Sequence, residues 1–177
     1  TGLVSGSVNM SWKFIGNTFD GAIASGINFR TAADGAFINS VVINCNVFNG
    51  EMQTLNAISV YNALGSQPII TNFTITGNTM QATVGTPVMI YQATGGVISG
   101  NSITGYNCLG ASAGADYSYS AAVNFLADAS WVNCLANTVG GAVNTAAPTA
   151  ICYNAIKKHS SLALPATVID SNNLFIA

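Results

Sequence analysis

Apolar and small polar residues alternate along this chain in short runs, and the runs recur. The clearest are WKFIGNTFDG from Trp12, VVINCNVFNG from Val41, FTITGNTMQA from Phe73 and GVISGNSITG from Gly96. Three weaker copies follow: VNCLANTVGG from Val132, TAICYNAIKK from Thr149 and TVIDSNNLFI from Thr167. All seven align on one asparagine: Asn17, Asn46, Asn78, Asn101, Asn137, Asn154 and Asn172. Three residues earlier the column reads Phe14, Ile43, Ile75, Ile98, Cys134, Ile151 and Ile169. Two residues later it reads Phe19, Phe48, Met80, Ile103, Val139, Ile156 and Leu174. Both columns are apolar throughout, so both predict inward positions.

Val, Ile, Phe and Thr alternating with small polar residues at period two predict strands rather than helices. The spacing between anchors varies from 17 to 36 residues, which suits strands joined by loops of unequal length. A second strand column follows several anchors: INFRTA from Ile27, ISVYNA from Ile58, VMIYQA from Val88 and VNFLAD from Val123. Phe29, Val60, Ile90 and Phe125 are its expected inward residues, and Arg30, Tyr61, Tyr91 and Leu126 its outward ones. The expected architecture is all-β: a single-stranded right-handed parallel β-helix of about seven coils, spanning residues 1–177 as one domain. Residues 107–120, rich in Gly, Ala and Ser, read as an inserted loop. The anchor asparagines are expected to form the bends, since Asn tolerates left-handed backbone. Their amides are expected to bond from coil to coil as a ladder at about 4.8 Å spacing.

Composition sharpens this picture. Half the residues are hydrophobic, only 6% are charged and the net charge is −2. Polarity comes from Asn, Ser, Thr and Gly, which interrupt every apolar run, so no span of about 20 apolar residues exists for a membrane helix. The only basic residues are Lys13, Arg30, Lys157 and Lys158, too few to track a phosphate backbone, which argues against nucleic acid as a partner. A charge-poor exterior predicts burial of part of it between subunits. Cys45, Cys108, Cys134 and Cys152 include no C-x-x-C pair, and one His159 cannot complete a zinc set. Buried free thiols are expected, which leans towards folding in a reducing compartment. The chain opens inside patterned sequence and is read as a fragment of something longer.

The repeats FIGNTFDG, INCNVFNG, ITGNTMQA and ISGNSITG resemble coils of the pectate-lyase-like right-handed β-helix superfamily. With few charges and free cysteines, they most resemble the β-helix of bacteriophage tailspikes. That resemblance implies a homotrimer in the virion tail, assembled in the host cytoplasm, that binds a bacterial surface polysaccharide and in many members cleaves it. It implies no cofactor. Two other readings fit the same residues: a non-catalytic shaft of a trimeric tail fibre or spike, and a secreted bacterial adhesin at the cell surface.

Hydrolysis of a glycan needs two carboxylates about 5 to 9.5 Å apart. The acids are Asp20, Asp34, Glu51, Asp116, Asp128 and Asp170, and a pair drawn from Asp20, Asp34 and Glu51 is the hydrolytic constellation the spacing allows. A calcium-dependent lyase would need an acid cluster, and these acids are scattered. Sugar binding asks for aromatic faces and neutral hydrogen-bonding groups. Arg30, Tyr61 and Tyr91 at coil spacing, walled by Tyr117 and Tyr119 on the loop, are the expected ligand-binding set.

Overall fold

A computed structural model describes residues 11–20, 25–31, 38–49, 56–62, 70–81, 86–90, 93–105, 122–125, 130–140, 156–158, 168–171 and 173–176. Among them there are only strands and turns, and no helix. The strands form three sheets. The first contains β1 (Ser11–Ile15), β4 (Ser40–Asn44), β7 (Ile70–Thr76), β10 (Ala93–Ser99), β13 (Ser130–Leu135) and β16 (Val168–Ser171). The second contains β2 (Thr18–Asp20), β5 (Val47–Asn49), β8 (Thr79–Gln81), β11 (Ser102–Thr104), β14 (Thr138–Gly140) and β17 (Leu174–Ile176). The third contains β3 (Ser25–Thr31), β6 (Asn56–Asn62), β9 (Val88–Ile90), β12 (Val123–Phe125) and β15 (Ile156–Lys158). The chain visits the three sheets in strict rotation, and every strand pairing is parallel, as for β4 with β7 and β6 with β9. This arrangement is compatible with a parallel β-solenoid.

The register stacks like on like. Phe14, Ile43, Ile75, Ile98 and Cys134 are successive partners in the first sheet. Phe19, Phe48, Met80, Ile103 and Val139 are successive partners in the second. Phe29, Val60, Ile90 and Phe125 follow one another in the third. Ile43, Ile75, Ile98, Phe48, Met80, Ile103, Ile90 and Cys134 are all fully buried in one continuous core. A buried side chain of this size contributes roughly 1.5–3 kcal/mol, so the three columns supply the main driving force. Shape is matched along the stack: Phe73 partners Gly96, and a Cβ built on Gly96 would collide with the Phe73 ring.

Two sequence assignments are corrected at the C-terminal side. Asn137 is the ladder neighbour of Asn173, not Asn172: its backbone N–H donates to Asn173 Oδ1 at 2.9 Å. The register therefore pairs Cys134 with Asp170 and Val139 with Phe175, in place of Ile169 and Leu174. Leu174 is indeed exposed. Two adjacent asparagines made the alignment ambiguous by one residue, and a one-residue slip exchanges the inner and outer faces of a strand. Secondly, Ile156–Lys158 pairs with β12 in the third sheet, so Ile156 is not in the Phe19–Val139 column. The two short spacings around Asn154 become one interval of 36 residues from Asn137 to Asn173, equal to the interval before it. Asn154 and Asn172 themselves lie outside the described residues.

The corner between the first and second sheets differs from expectation in one further way. The left-handed residue is the one before each anchor: Gly16 (φ 68), Cys45 (φ 53), Gly77 (φ 63), Gly100 (φ 61) and Ala136 (φ 52). This explains why Gly recurs there, and why Cys45 is exposed rather than buried. The anchor asparagine is thereby freed to turn its amide inward, where Asn46, Asn78, Asn101 and Asn137 are all about 99% buried. Each anchor donates twice to the next. Asn46 N–H and Nδ2 reach Asn78 Oδ1 at 2.9 and 3.0 Å, and Asn78 N–H and Nδ2 reach Asn101 Oδ1 at 3.0 and 2.9 Å. Asn101 and Asn137 continue the series, at 3.1 and 2.8 Å. The second amide hydrogen satisfies a core-strand carbonyl, as Asn78 Nδ2 does for Ile43 O at 3.0 Å. Such double use satisfies corner groups that no sheet ladder can reach.

Candidate functional site

The structure describes one of the three candidate catalytic acids. Asp20 ends β2, is exposed, and is the register partner of Asn49. Asp34 and Glu51 lie outside the described residues, so the proposed acid pair has one placed member. Glu51 follows Asn49 by two residues in sequence. Among the described residues no group of three His, Cys, Asp or Glu side chains is placed to hold a metal ion. No helix among them is long and apolar enough to cross a membrane.

Of the expected ligand-binding set, Arg30 and Tyr61 are register partners on β3 and β6. They follow the buried pair Phe29 and Val60. Tyr91, Tyr117 and Tyr119 lie outside the described residues. The neighbouring column of this sheet is not open. Asn28, Ser59 and Met89 are partners, and although Asn28 is exposed, Ser59 retains 3% and Met89 9% of its accessible surface. Period-two alternation alone would leave all three in solvent, yet Ser59 and Met89 are buried.

The second sheet offers a more open surface. Thr18, Gln81, Ser102 and Thr104 are exposed, and Val47, Asn49, Thr79 and Thr138 are half-buried beside them. These positions form two register rows, Thr18–Val47–Thr79–Ser102–Thr138 and Asp20–Asn49, then Gln81–Thr104. Strands about 4.8 Å apart repeat hydroxyl and amide groups at that interval. Asp20 is the only charge in these rows. Such a surface can donate and accept hydrogen bonds without the desolvation cost of ionised groups.

A second polar stack escaped the sequence reading. Ser25, Asn56 and Thr86 occupy equivalent positions at the entry to the third sheet, and Asn56 Nδ2 donates to Thr86 O at 2.7 Å. Asn56 is 4% exposed and Thr86 fully buried, and among the described residues the Thr86 hydroxyl has no hydrogen-bond partner. The signal was present as a polar residue two before the aliphatic one, in Ser25-x-Ile27, Asn56-x-Ile58 and Thr86-x-Val88. Three different side chains fill one role there, which hides the column from an identity-based alignment. Asn72 (φ 62), opposite Gly95 (φ 67), marks a local kink in β7 and β10. This is where an asparagine does take the left-handed backbone.

No family model matches the chain, and no curated protein or solved structure matches it.

Proposed function

We propose that this chain is a segment of a right-handed parallel β-helix of the bacteriophage tailspike type, which binds bacterial surface polysaccharide as a homotrimer in the virion tail. The right-handed sense follows from crossover sterics: parallel strands of one sheet joined by a connection are nearly always linked right-handedly. The observation that supports glycan binding best is the second sheet's outer surface, where Thr18, Gln81, Ser102 and Thr104 present neutral hydrogen-bonding groups in rows. Sugar hydroxyls need many such groups, and the strand interval is comparable with the length of one pyranose unit. Arg30 and Tyr61, adjacent in register, would add a stacking and bidentate element at the neighbouring sheet. If the glycan is also cleaved, Asp20 with Glu51 or Asp34 is the pair to do it, one protonating the leaving oxygen and the other acting as nucleophile or base.

The test is retention and turnover on capsular and O-antigen glycans. Binding should weaken at least tenfold in a Gln81→Ala/Thr104→Ala variant and in Tyr61→Ala, with light scattering still giving three times the mass of the 18.1 kDa chain. Unchanged binding in both variants would remove these surfaces, and a monomer would remove the trimer. Glu51→Gln with undiminished release of reducing ends would remove Glu51 from any mechanism. A second reading, a non-catalytic shaft that carries a recognition domain, draws on the unbroken amide ladder from Asn17 to Asn173, which stiffens the stack along its axis. It predicts no glycan retention by any variant or by the parent.

A further inference from the structure

The asparagines of the stack differ in how their amides are held. Asn46, Asn78, Asn101 and Asn137 commit both amide atoms to the buried ladder. Asn44 Oδ1 accepts from the Cys45 thiol at 3.0 Å and from the Thr76 hydroxyl at 3.3 Å. Asn56 Nδ2 donates to Thr86 O. Asn49, the last residue of β5, stands apart from these. It is half-buried, and its amide makes no hydrogen bond among the described residues. Its backbone is paired on one side: Asn49 is the register partner of Asp20, whereas the β5–β8 register ends at Phe48 with Met80.

Asn49 is also followed by Gly50, and this is the only Asn-Gly pair in the sequence. The residues that follow β2, β5, β8, β11 and β14 are Gly21, Gly50, Ala82, Gly105 and Gly141. Gly105, the described one, has φ 63, a conformation that favours glycine. The exit from the second sheet thus selects a small residue directly after the last outward side chain. A small residue there has a chemical consequence when that side chain is an unbonded carboxamide, because nothing shields the next amide nitrogen from it.

We propose that Asn49 is a site of spontaneous covalent modification that sets a second carboxylate beside Asp20. The Gly50 backbone nitrogen, giving up its proton to hydroxide, attacks Asn49 Cγ. The new N–C bond closes a succinimide ring, and ammonia leaves with a proton taken from water. Water then opens the ring at either carbonyl, giving aspartate or isoaspartate. The net change is one water consumed and one ammonia released, with no oxidation or reduction. Aspartate at this position faces Asp20 across one strand interval, about 4.8 Å. Like charges facing each other across strands are destabilising. Isoaspartate adds a carbon to the main chain and breaks the register with Asp20. The chemistry is the same whether or not this surface binds glycan.

The test is peptide mapping by mass spectrometry of the chain held at mildly alkaline pH in heavy-oxygen water, which labels each newly made carboxyl. In the folded chain, label should appear at Asn49 as a pair of aspartate and isoaspartate products. It should accumulate there at least tenfold faster than at Asn46, Asn78, Asn101 or Asn137, a difference of about 1.4 kcal/mol or more in barrier. In guanidinium, where every asparagine is exposed, Gly50→Ala should slow the reaction at Asn49 by about tenfold or more. That comparison is made on unfolded chains, so it does not depend on whether the variant folds. An Asn49 that converts no faster than Asn46 or Asn78 in the folded chain overturns the inference. So does conversion that Gly50→Ala leaves unchanged, because the Gly50 nitrogen is then not the attacking group.

Discussion

Replacing Asn78 isolates what the ladder contributes. Its Oδ1 accepts from the Asn46 N–H and Nδ2, and its Nδ2 donates to Ile43 O, Thr76 O and Asn101 Oδ1, all at 2.9–3.1 Å. The residue is 1% exposed, so water cannot replace these partners. Asn78→Leu keeps the volume and removes every side-chain bond. The Asn46 N–H loses its partner, which costs about 1–3 kcal/mol for a buried donor, and the remaining bonds are worth about 0.5–1.5 kcal/mol each. The total comes to roughly 3–9 kcal/mol, a large share of a domain's stability. Asn78→Asp asks a different question. Its second oxygen would face Ile43 O and Asn101 Oδ1, both acceptors, in a site closed to solvent. The protonated acid can donate there and the carboxylate cannot, so the folded-state pKa rises above the unfolded value of about 3.9. A raised acid pKa stabilises the fold below the unfolded pKa and the stability is lost as pH rises through the folded one. Urea unfolding should therefore show Asn78→Asp weaker than Asn78→Leu at pH 7, with the order reversed near pH 3.5. An Asn78→Asp protein within about 1 kcal/mol of the parent at pH 7 would refute the buried ladder.

Three other expectations follow from the same packing. Gly96→Val forces a side chain into the Phe73 ring and should cost roughly 1–3 kcal/mol or more, with Phe73→Val in the same chain recovering part of the loss; independent, additive costs would contradict the fit. Thr86→Val removes a buried hydroxyl that has no partner and should raise stability by about 1 kcal/mol in denaturant melts, whereas a loss of that size would mean the hydroxyl is bonded. Cys45→Gly and Ala136→Gly relieve left-handed backbone worth about 1–2 kcal/mol against a chain-entropy cost of about 0.5–1, so each should gain a few tenths to 1 kcal/mol. Gly100→Ala, with open space around its Cβ, should lose a comparable amount by thermal melting.

The core was legible because it is written twice. The residues three before and two after each anchor are apolar in every copy from Phe14 to Val139, and a period-two pattern fixes which face they occupy. What stayed hidden had local causes. Asn172 and Asn173 are adjacent, and only pairing with β14 decides between them. Ile156 follows an asparagine by two residues as the others do, yet an interval of 17 residues is too short to supply strands for three sheets and their corners. The left-handed position reads Gly, Cys, Gly, Gly, Ala, and composition alone does not reveal φ. Ser59 and Met89 are buried at positions that a period-two strand pattern places outward.

Stacking in register can be measured directly through Thr18, Ser102 and Leu174, which are exposed and share one column of the second sheet. In a cysteine-replaced background, nitroxide labels at 18 and 102 span three strand intervals, and labels at 18 and 174 span five. Pulsed dipolar spectroscopy should give narrow distributions for both pairs. The second should be longer by two intervals, about 10 Å, on backbone separations of about 14 and 24 Å. A distance between 18 and 174 equal to or shorter than that between 18 and 102 would contradict the stack.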